Sequence, residues 1–335
     1  MAATEEISTD RAPLPPPAGP VSELVLDLLW SKPPATALSI PEAEPLGDDV
    51  QLALYLCYEL HYRSFAGVDP DWEWDPALLA LRGALERAFF ATLEEAMPPR
   101  PVDPDNVGDL LFEIEANDDG PSLSRYLRRK GTLDQFREFV AHRSLYQLKE
   151  ADPHSWAIPR LTGAAKSALL EVQEDEYGAG RPERMHSALF AKTMRALGLD
   201  DRENAYLRCA PGATLATVNL ISALGLRGSR RGALVGHLAM FEMTSSRPNR
   251  RYAEGLRRLG CDGDATDFYD EHVEADAVHE NIAAFDLAGE LARSEPRLAA
   301  DIVFGARVML HLEARFAAHL LEAWSAGVTS LREPL

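Results

Sequence analysis

From about residue 48 to its end the chain is one helical pattern after another, and that most limits what it can fold into. Apolar residues recur with helical spacing near 50–66, 76–97, 132–151, 162–176, 182–198, 200–208, 212–225, 230–244, 248–259, 264–291 and 301–326. Clusters such as Asp118-Asp119-Gly120-Pro121 and Gly178-Ala179-Gly180-Arg181-Pro182 separate them. No pair of alternating strands, hairpin signature or fixed-period repeat occurs. The sequence predicts an all-α bundle, whose sites are built from side chains on facing helices.

The N-terminal part differs. Pro13, Pro15, Pro16 and Pro17 leave little to bury, and Pro33, Pro34, Pro41 and Pro45 suggest an extended link. Between them, residues 21–30 carry apolar positions suited to a short docked helix. The expected organisation is a Pro-rich, largely disordered tail or linker over 1–47, a helical layer over 48–130 packed on the core, and a helical domain over 131–328 that carries the site. Asp48 and Asp49 are expected to cap the first long helix.

Composition narrows the function classes. Hydrophobic residues make up 46% of 335, enough for a substantial core. A net charge of −19 repels nucleic acid and anionic membranes. No apolar run is long enough to span a bilayer, and the N-terminus lacks the pattern of a secretion signal. The three cysteines, Cys57, Cys209 and Cys261, lie far apart and form no CxxC. A reduced, cytoplasmic setting is the expectation.

The chemistry concentrates in His272-Val-Glu-Ala-Asp276-Ala-Val-His279. On a helix these positions fall within about 60° of one another, so the three side chains leave one face. Imidazole with carboxylate suits iron or manganese better than a thiolate-loving metal. The alternative is a solvated acidic face with an Asp276–His279 pair, given Asp270, Glu271, Glu274 and Glu280 nearby. Glu176 and His186 are ten apart. An ideal helix would turn them about 80° apart, but the glycines and proline between them allow a bend that brings both to one site; helix-end placement is the other reading. Glu242 sits in the apolar run 236–244, where a carboxylate must be exposed, paired or metal-bound. His237, five residues earlier, should point elsewhere as a satisfied imidazole.

Other candidates read as structural. Glu59 is expected to pair with Arg63 at i+4. Glu150 reads as a helix-end salt bridge, with an extra metal carboxylate as the alternative. His142, His311 and Glu313 read as packing or surface residues. Arg250, Arg251, Arg257 and Arg258 read as partners for surface acids, with a substrate carboxylate as the alternative. Tyr177 and Tyr252 read as packing residues with a pocket role as the alternative.

With these residues assembled, the chain resembles the heme-oxygenase-like diiron oxidases, also called iron-containing redox enzymes, over roughly residues 130–325. The family builds its site from a Glu and a following His, a single Glu, and a His-x3-Asp-x2-His run. Glu176 with His186, then Glu242, then His272, Asp276 and His279 match in order and type. The resemblance implies a heme-oxygenase-like bundle, here with an extra N-terminal helical layer, and a site for two Fe(II) ions with O2 as cosubstrate. It implies an oxidase or oxygenase acting on a small amino-acid-like or fatty-acid-like metabolite, by N-oxygenation, desaturation or carbon–carbon cleavage. It also implies an electron donor as partner and ordering of the third ligand helix on metal binding; homodimerisation through the N-terminal layer is a further option. A heme oxygenase would instead need a proximal His near the start of its domain. A thiamin-degrading relative would need a nucleophilic Cys, and none of the three is marked as one. The competing class is a non-catalytic helical protein that binds metal or serves as a scaffold.

Overall fold

The computed structural model describes residues 11–33 and 38–335, and for residues 274–278 the backbone alone. The fold is all-α, with no strand among the described residues. Among the described residues fourteen α-helices follow in order. These are α1 (Pro20–Leu29), α2 (Asp48–Glu59), α3 (Pro76–Ala96), α4 (Val107–Ala116), α5 (Leu123–Lys130), α6 (Leu133–Gln147) and α7 (Asp152–Ser155). They continue as α8 (Gly163–Glu176), α9 (His186–Ala196), α10 (Gly212–Leu226), α11 (Arg231–Arg258), α12 (Gly263–Asn281), α13 (Glu290–Ser294) and α14 (Ala299–Ser325). Among the described residues no helix is long and apolar enough to cross a membrane.

The long helix α11 is the axis of the bundle, packed along α12 and α14. Its approach to α14 is set by two glycines. A Cβ on Gly236 would run into the backbone carbonyl of Ile302, and one on Gly305 into that of Ala233. The backbones therefore touch where any larger residue would hold them apart. The sequence pattern divides α11 at Pro248, yet the helix runs through it from Arg231 to Arg258. Asn249, Tyr252, Ala253 and Leu256 are buried beyond the proline. Their burial outweighs the one backbone hydrogen bond that proline forfeits.

Three other expected helices end differently. Residues 200–208 form no α-helix, only a short 3-10 turn at Leu207–Cys209. The segment 182–198 becomes helical only from His186. The long stretch 264–291 leaves α geometry at Ile282, where a π-helical segment runs to Gly289 and rests against α8 and α11.

Within the stretch expected as a tail or linker, the docked helix expected at 21–30 is present as α1, while residues 1–10 and 34–37 lie outside the described residues. Val21, Val25 and Leu29 of α1 are fully buried against the core, and the backbone N–H of Ala66 donates to the Ala12 carbonyl at 2.9 Å. Asp48 and Asp49 do not cap α2, whose N-cap position is Gly47. Asp49 instead accepts from the backbone N–H groups of Val21 and Ser22 at 2.9 and 2.7 Å, at the start of α1. Asp48 accepts from the N–H of Gly212 at 2.6 Å, at the start of α10. Each carboxylate satisfies donors that the capped helix cannot pair internally.

Candidate metal centre

Six buried side chains come together from five parts of the chain. Glu150 follows α6, Glu176 ends α8, His186 opens α9, Glu242 lies mid-way along α11, and His272 and His279 lie on α12. They form two adjoining groups. Glu150, His186 and His272 each offer a donor atom within 4.8 Å of the others, and so do Glu176, Glu242 and His279. The groups meet where His186 Nδ1 stands 3.0 Å from Glu176 Oε2 and the His186 and His272 rings lie 4.3 Å apart. The backbone of Asp276 is helical, but its side chain lies outside the described residues.

The bend between α8 and α9 makes this possible. Gly178 has φ +67°, and a Cβ there would come within 2.6 Å of the Arg184–Met185 peptide. Only glycine fits that approach. Ala179 follows in a left-handed conformation, φ +49°, and the chain turns back so that His186 faces Glu176.

The histidines are oriented by their second nitrogens. His272 Nδ1–H donates to the carbonyl of Phe268, one turn earlier, at 2.7 Å. That leaves Nε2 toward Glu150 Oε1, 3.8 Å away. His279 Nε2–H donates to Asp175 Oδ2 at 2.9 Å, which turns Nδ1 to Glu242 Oε2 at 3.4 Å. Such partners fix tautomer and ring direction for a ligand nitrogen.

The donor atoms fit a cation better than they fit one another. Glu150 Oε2, Glu176 Oε2, His186 Nδ1 and His279 Nδ1 are buried without a hydrogen-bond partner among the described residues. Each orphaned buried polar atom costs about 1–3 kcal/mol. His186 Nδ1 and Glu176 Oε2 are close but lack hydrogen-bond geometry, as lone pairs turned to a shared ion would be. The mixed nitrogen and oxygen set suits a metal of intermediate hardness.

Protonation follows the same arrangement. Burial pushes the Glu150 and Glu242 carboxyls up. Burial also opposes the Glu176 carboxylate, but His186, His272 and His279 outweigh it and hold that group down at about 2. Burial opposes a charged His279, and Glu242 with Asp175 outweighs it, raising this imidazole to about 9.

Of the expected residues, Glu176, His186, Glu242, His272 and His279 stand in this cluster. Glu150, read as a helix-end salt bridge, stands inside it, and its neighbour Lys149 makes the ion pair instead, with Glu59 at 2.6 Å. The signal for Glu150 was its place eight residues after His142, roughly on the same helix face. Asp175 had no comparable signal, being one more acid in Gln-Glu-Asp-Glu. Arg63 does not pair with Glu59 but with Glu203, at 3.1 Å.

Six of the remaining candidates have structural partners. His142 meets Thr214 and Ser330. His237 meets His154 at 3.2 Å, and Glu313 meets Arg143 at 2.6 Å. Arg251 donates to Ser124 and Arg257 pairs with Asp270. Arg258 donates to the carbonyls of Leu127 and Arg128 at the end of α5.

A sequence model of the iron-containing redox enzymes matches residues 137–314, more than half of the chain. The chain belongs to this family. The matched span holds all six clustered side chains. It is also similar to nitrosourea synthase from Streptomyces achromogenes subsp. streptozoticus, at 29% identity over 136 residues. That match covers 41% of this chain and 29% of the relative, so less than a third of the relative's length is spanned.

Proposed function

We propose that the chain is a non-heme diiron, dioxygen-dependent oxidase or oxygenase acting on a small amino-acid-like or fatty-acid-like metabolite. The observation that carries it is the pair of adjoining buried donor groups, joined at Glu176 and His186 by a 3.0 Å approach that is no hydrogen bond. Glu150, His186 and His272 would hold one iron; Glu176, Glu242 and His279 the other. Asp276 is proposed as a further carboxylate ligand, as the resemblance implies. Four carboxylates, Glu150, Glu176, Glu242 and Asp276, would then neutralise two divalent ions. Two ferrous ions supply electrons for dioxygen reduction, chemistry that no side chain provides unaided.

The chain's own contribution is placement, dryness and one route for protons. The Phe268 carbonyl keeps the hydrogen of His272 on Nδ1, so Nε2 stays a donor of electrons. Burial of all six side chains removes competing water and strengthens their electrostatics. Asp175 is the outlet: its carboxylate is 55% exposed and accepts from His279 Nε2. A proton on that nitrogen has bulk water one hydrogen bond away. The relative is named a nitrosourea synthase, and a nitrosourea carries an N–nitroso group, which favours N-oxygenation among the options and an amine-bearing substrate. An external electron donor belongs to the proposal, since both irons must return to the ferrous state.

Anaerobic titration with ferrous iron, followed by oxygen, tests this. The expected result is uptake of close to two irons per chain and consumption of dioxygen at an electrode, each strongly reduced in Glu176→Ala with helical content retained. Iron uptake without oxygen consumption, with amine and fatty-acid substrates present, would leave a metal-binding protein. No uptake would leave a scaffold.

A further inference from the structure

Cations collect on one face of this acidic chain. α5 packs along α11, so close that a Cβ on Gly255 would come within 3.1 Å of the Arg128 backbone. Arg247, Arg250 and Arg251 fall within one turn of α11 and leave one side of it. Arg125 and Arg128 of α5 join them: burial, with Arg125, Arg128 and Arg247 adding like charge, pulls Arg251 below the usual guanidinium range. Elsewhere the 53 acids of the chain supply partners, as they do for Arg143, Arg231 and Arg257. Here Arg128 meets Glu254 and Arg251 donates to the Ser124 hydroxyl. Arg125, Arg247 and Arg250 have no ion pair among the described residues. Helix chemistry does not account for them. Arg125 stands in the first turn of α5, where a cation opposes the helix dipole, and Arg247 and Arg250 stand far from either end of α11.

Behind this face runs a line of buried rings. Tyr252 follows Arg251, and the two groups are near enough to perturb each other. The Tyr252 ring lies 5.6 Å from that of Tyr269, Tyr269 lies 5.3 Å from Phe268, and Phe268 lies 4.2 Å from His272 of the donor cluster. Electron tunnelling falls off steeply with the gap between orbitals, and each ring shortens that gap. The Tyr269 hydroxyl has no hydrogen-bond partner among the described residues. With no base to take its proton, this ring bridges the interval without itself being oxidised. Arg251 stands nine residues beyond Glu242, about 14 Å along the axis of α11.

We propose that the arginine face of α5 and α11 docks a small acidic one-electron carrier protein, whose electron reaches the donor cluster through Tyr252, Tyr269, Phe268 and His272. The destination of the electron rests on the diiron reading above; the docking does not. A chain at −19 repels an acidic partner except where its sign reverses, so this face also selects the orientation of the encounter. A long polyanion or an anionic membrane would reach past the arginines onto acidic surface, whereas a small carrier need not. Each encounter oxidises one carrier by one electron and returns one ferric ion to ferrous, with no bond made or broken at the docking face.

The test takes the full chain and an acidic [2Fe–2S] ferredoxin as probe, with phosphatidylserine vesicles alongside. Calorimetry on the metal-free chain is expected to show binding that weakens as salt rises. Arg125→Glu combined with Arg247→Glu is expected to weaken it at least about tenfold, and Arg202→Glu combined with Arg297→Glu, equal in net charge at exposed sites elsewhere, less than about twofold. No binding by the parent, or equal loss in the two variants, overturns the docking face. Arginine-dependent binding of the vesicles without binding of ferredoxin assigns the face to a membrane and also overturns it. Stopped-flow mixing of reduced ferredoxin with the iron-loaded, air-oxidised chain follows the electron. At saturating ferredoxin, Tyr269→Leu is expected to slow ferredoxin oxidation at least about tenfold with binding unchanged, and Tyr269→Phe to keep the parent rate; Tyr252→Leu serves where Tyr269→Leu folds poorly. A leucine variant that keeps the parent rate overturns the ring path. Ferredoxin bound through the arginines by a chain that takes up no iron supports the docking face and overturns the diiron reading.

Discussion

At the scale of single residues, Glu176 holds the centre together. It is the carboxylate that touches both donor groups, through His186 on one side and Glu242 with His279 on the other. Glu176→Gln is expected to lose both irons in an anaerobic chelator competition, whereas Glu150→Gln should weaken mainly one. The buried pair His154 and His237 predicts an acid limit. Burial pushes His154 down to about 4 against the opposing pull of Glu176, and burial together with the neighbouring His154 holds His237 well below its usual value. Between the ordinary value near 6.5 and about 4 the unfolded chain binds protons that the folded one refuses. Stability of the metal-free protein therefore falls as pH drops through that window. His237→Phe should flatten the slope, read from denaturant midpoints against pH. Glu203 works in the other direction. Its folded carboxyl binds a proton up to about 7, so the folded state loses stability as pH rises toward that value, and Glu203→Gln is expected to gain stability over the parent above it.

At the scale of elements, the sequence pointed to helices that the structure brings together, and the reason is physical. A carboxylate inside an apolar run, as Glu242 is, must find a partner, and three donors at helical spacing must share a face. Glu150 was harder to see because it lies beyond the end of α6, in a turn whose direction depends on the left-handed Ala151. Pro248 misled for a related reason: local propensity argues for a break, and tertiary burial on both sides overrides it. The helix α12 carries acids along its outer face. Lys192 pairs with Asp264 and Asp267, Arg257 with Asp270, and Arg184 with Glu271, so these acids are held by cations of neighbouring elements. Its inner face carries His272 and His279 to the donor cluster. Ferrous iron is expected to raise amide protection across 264–284, and exchange rates that do not respond to iron would remove α12 from the centre. The α11–α14 crossing predicts the opposite kind of sensitivity. Gly236→Ala should destabilise by about 1–3 kcal/mol or more through overpacking, with the melting transition as readout.

At the scale of the whole molecule, composition spoke to class and charge, and structure supplied the connections. A chain at −19 repels itself, so its melting temperature is expected to rise from low to physiological ionic strength; a fall would mean that ion pairs such as Arg143–Glu313 outweigh the net repulsion. Proline content suggested a loose N-terminus, because prolines advertise themselves in a sequence while the partner that tethers them does not. That partner is Asp49, and its neighbour Asp48 does the same service for α10. Two consecutive carboxylates thus act as a rivet through three helices far apart in the chain. Any shortened form that begins after α1 would keep half of that rivet and strand the other half, so trimming the leader is a change to the interior of the molecule as much as to its edge.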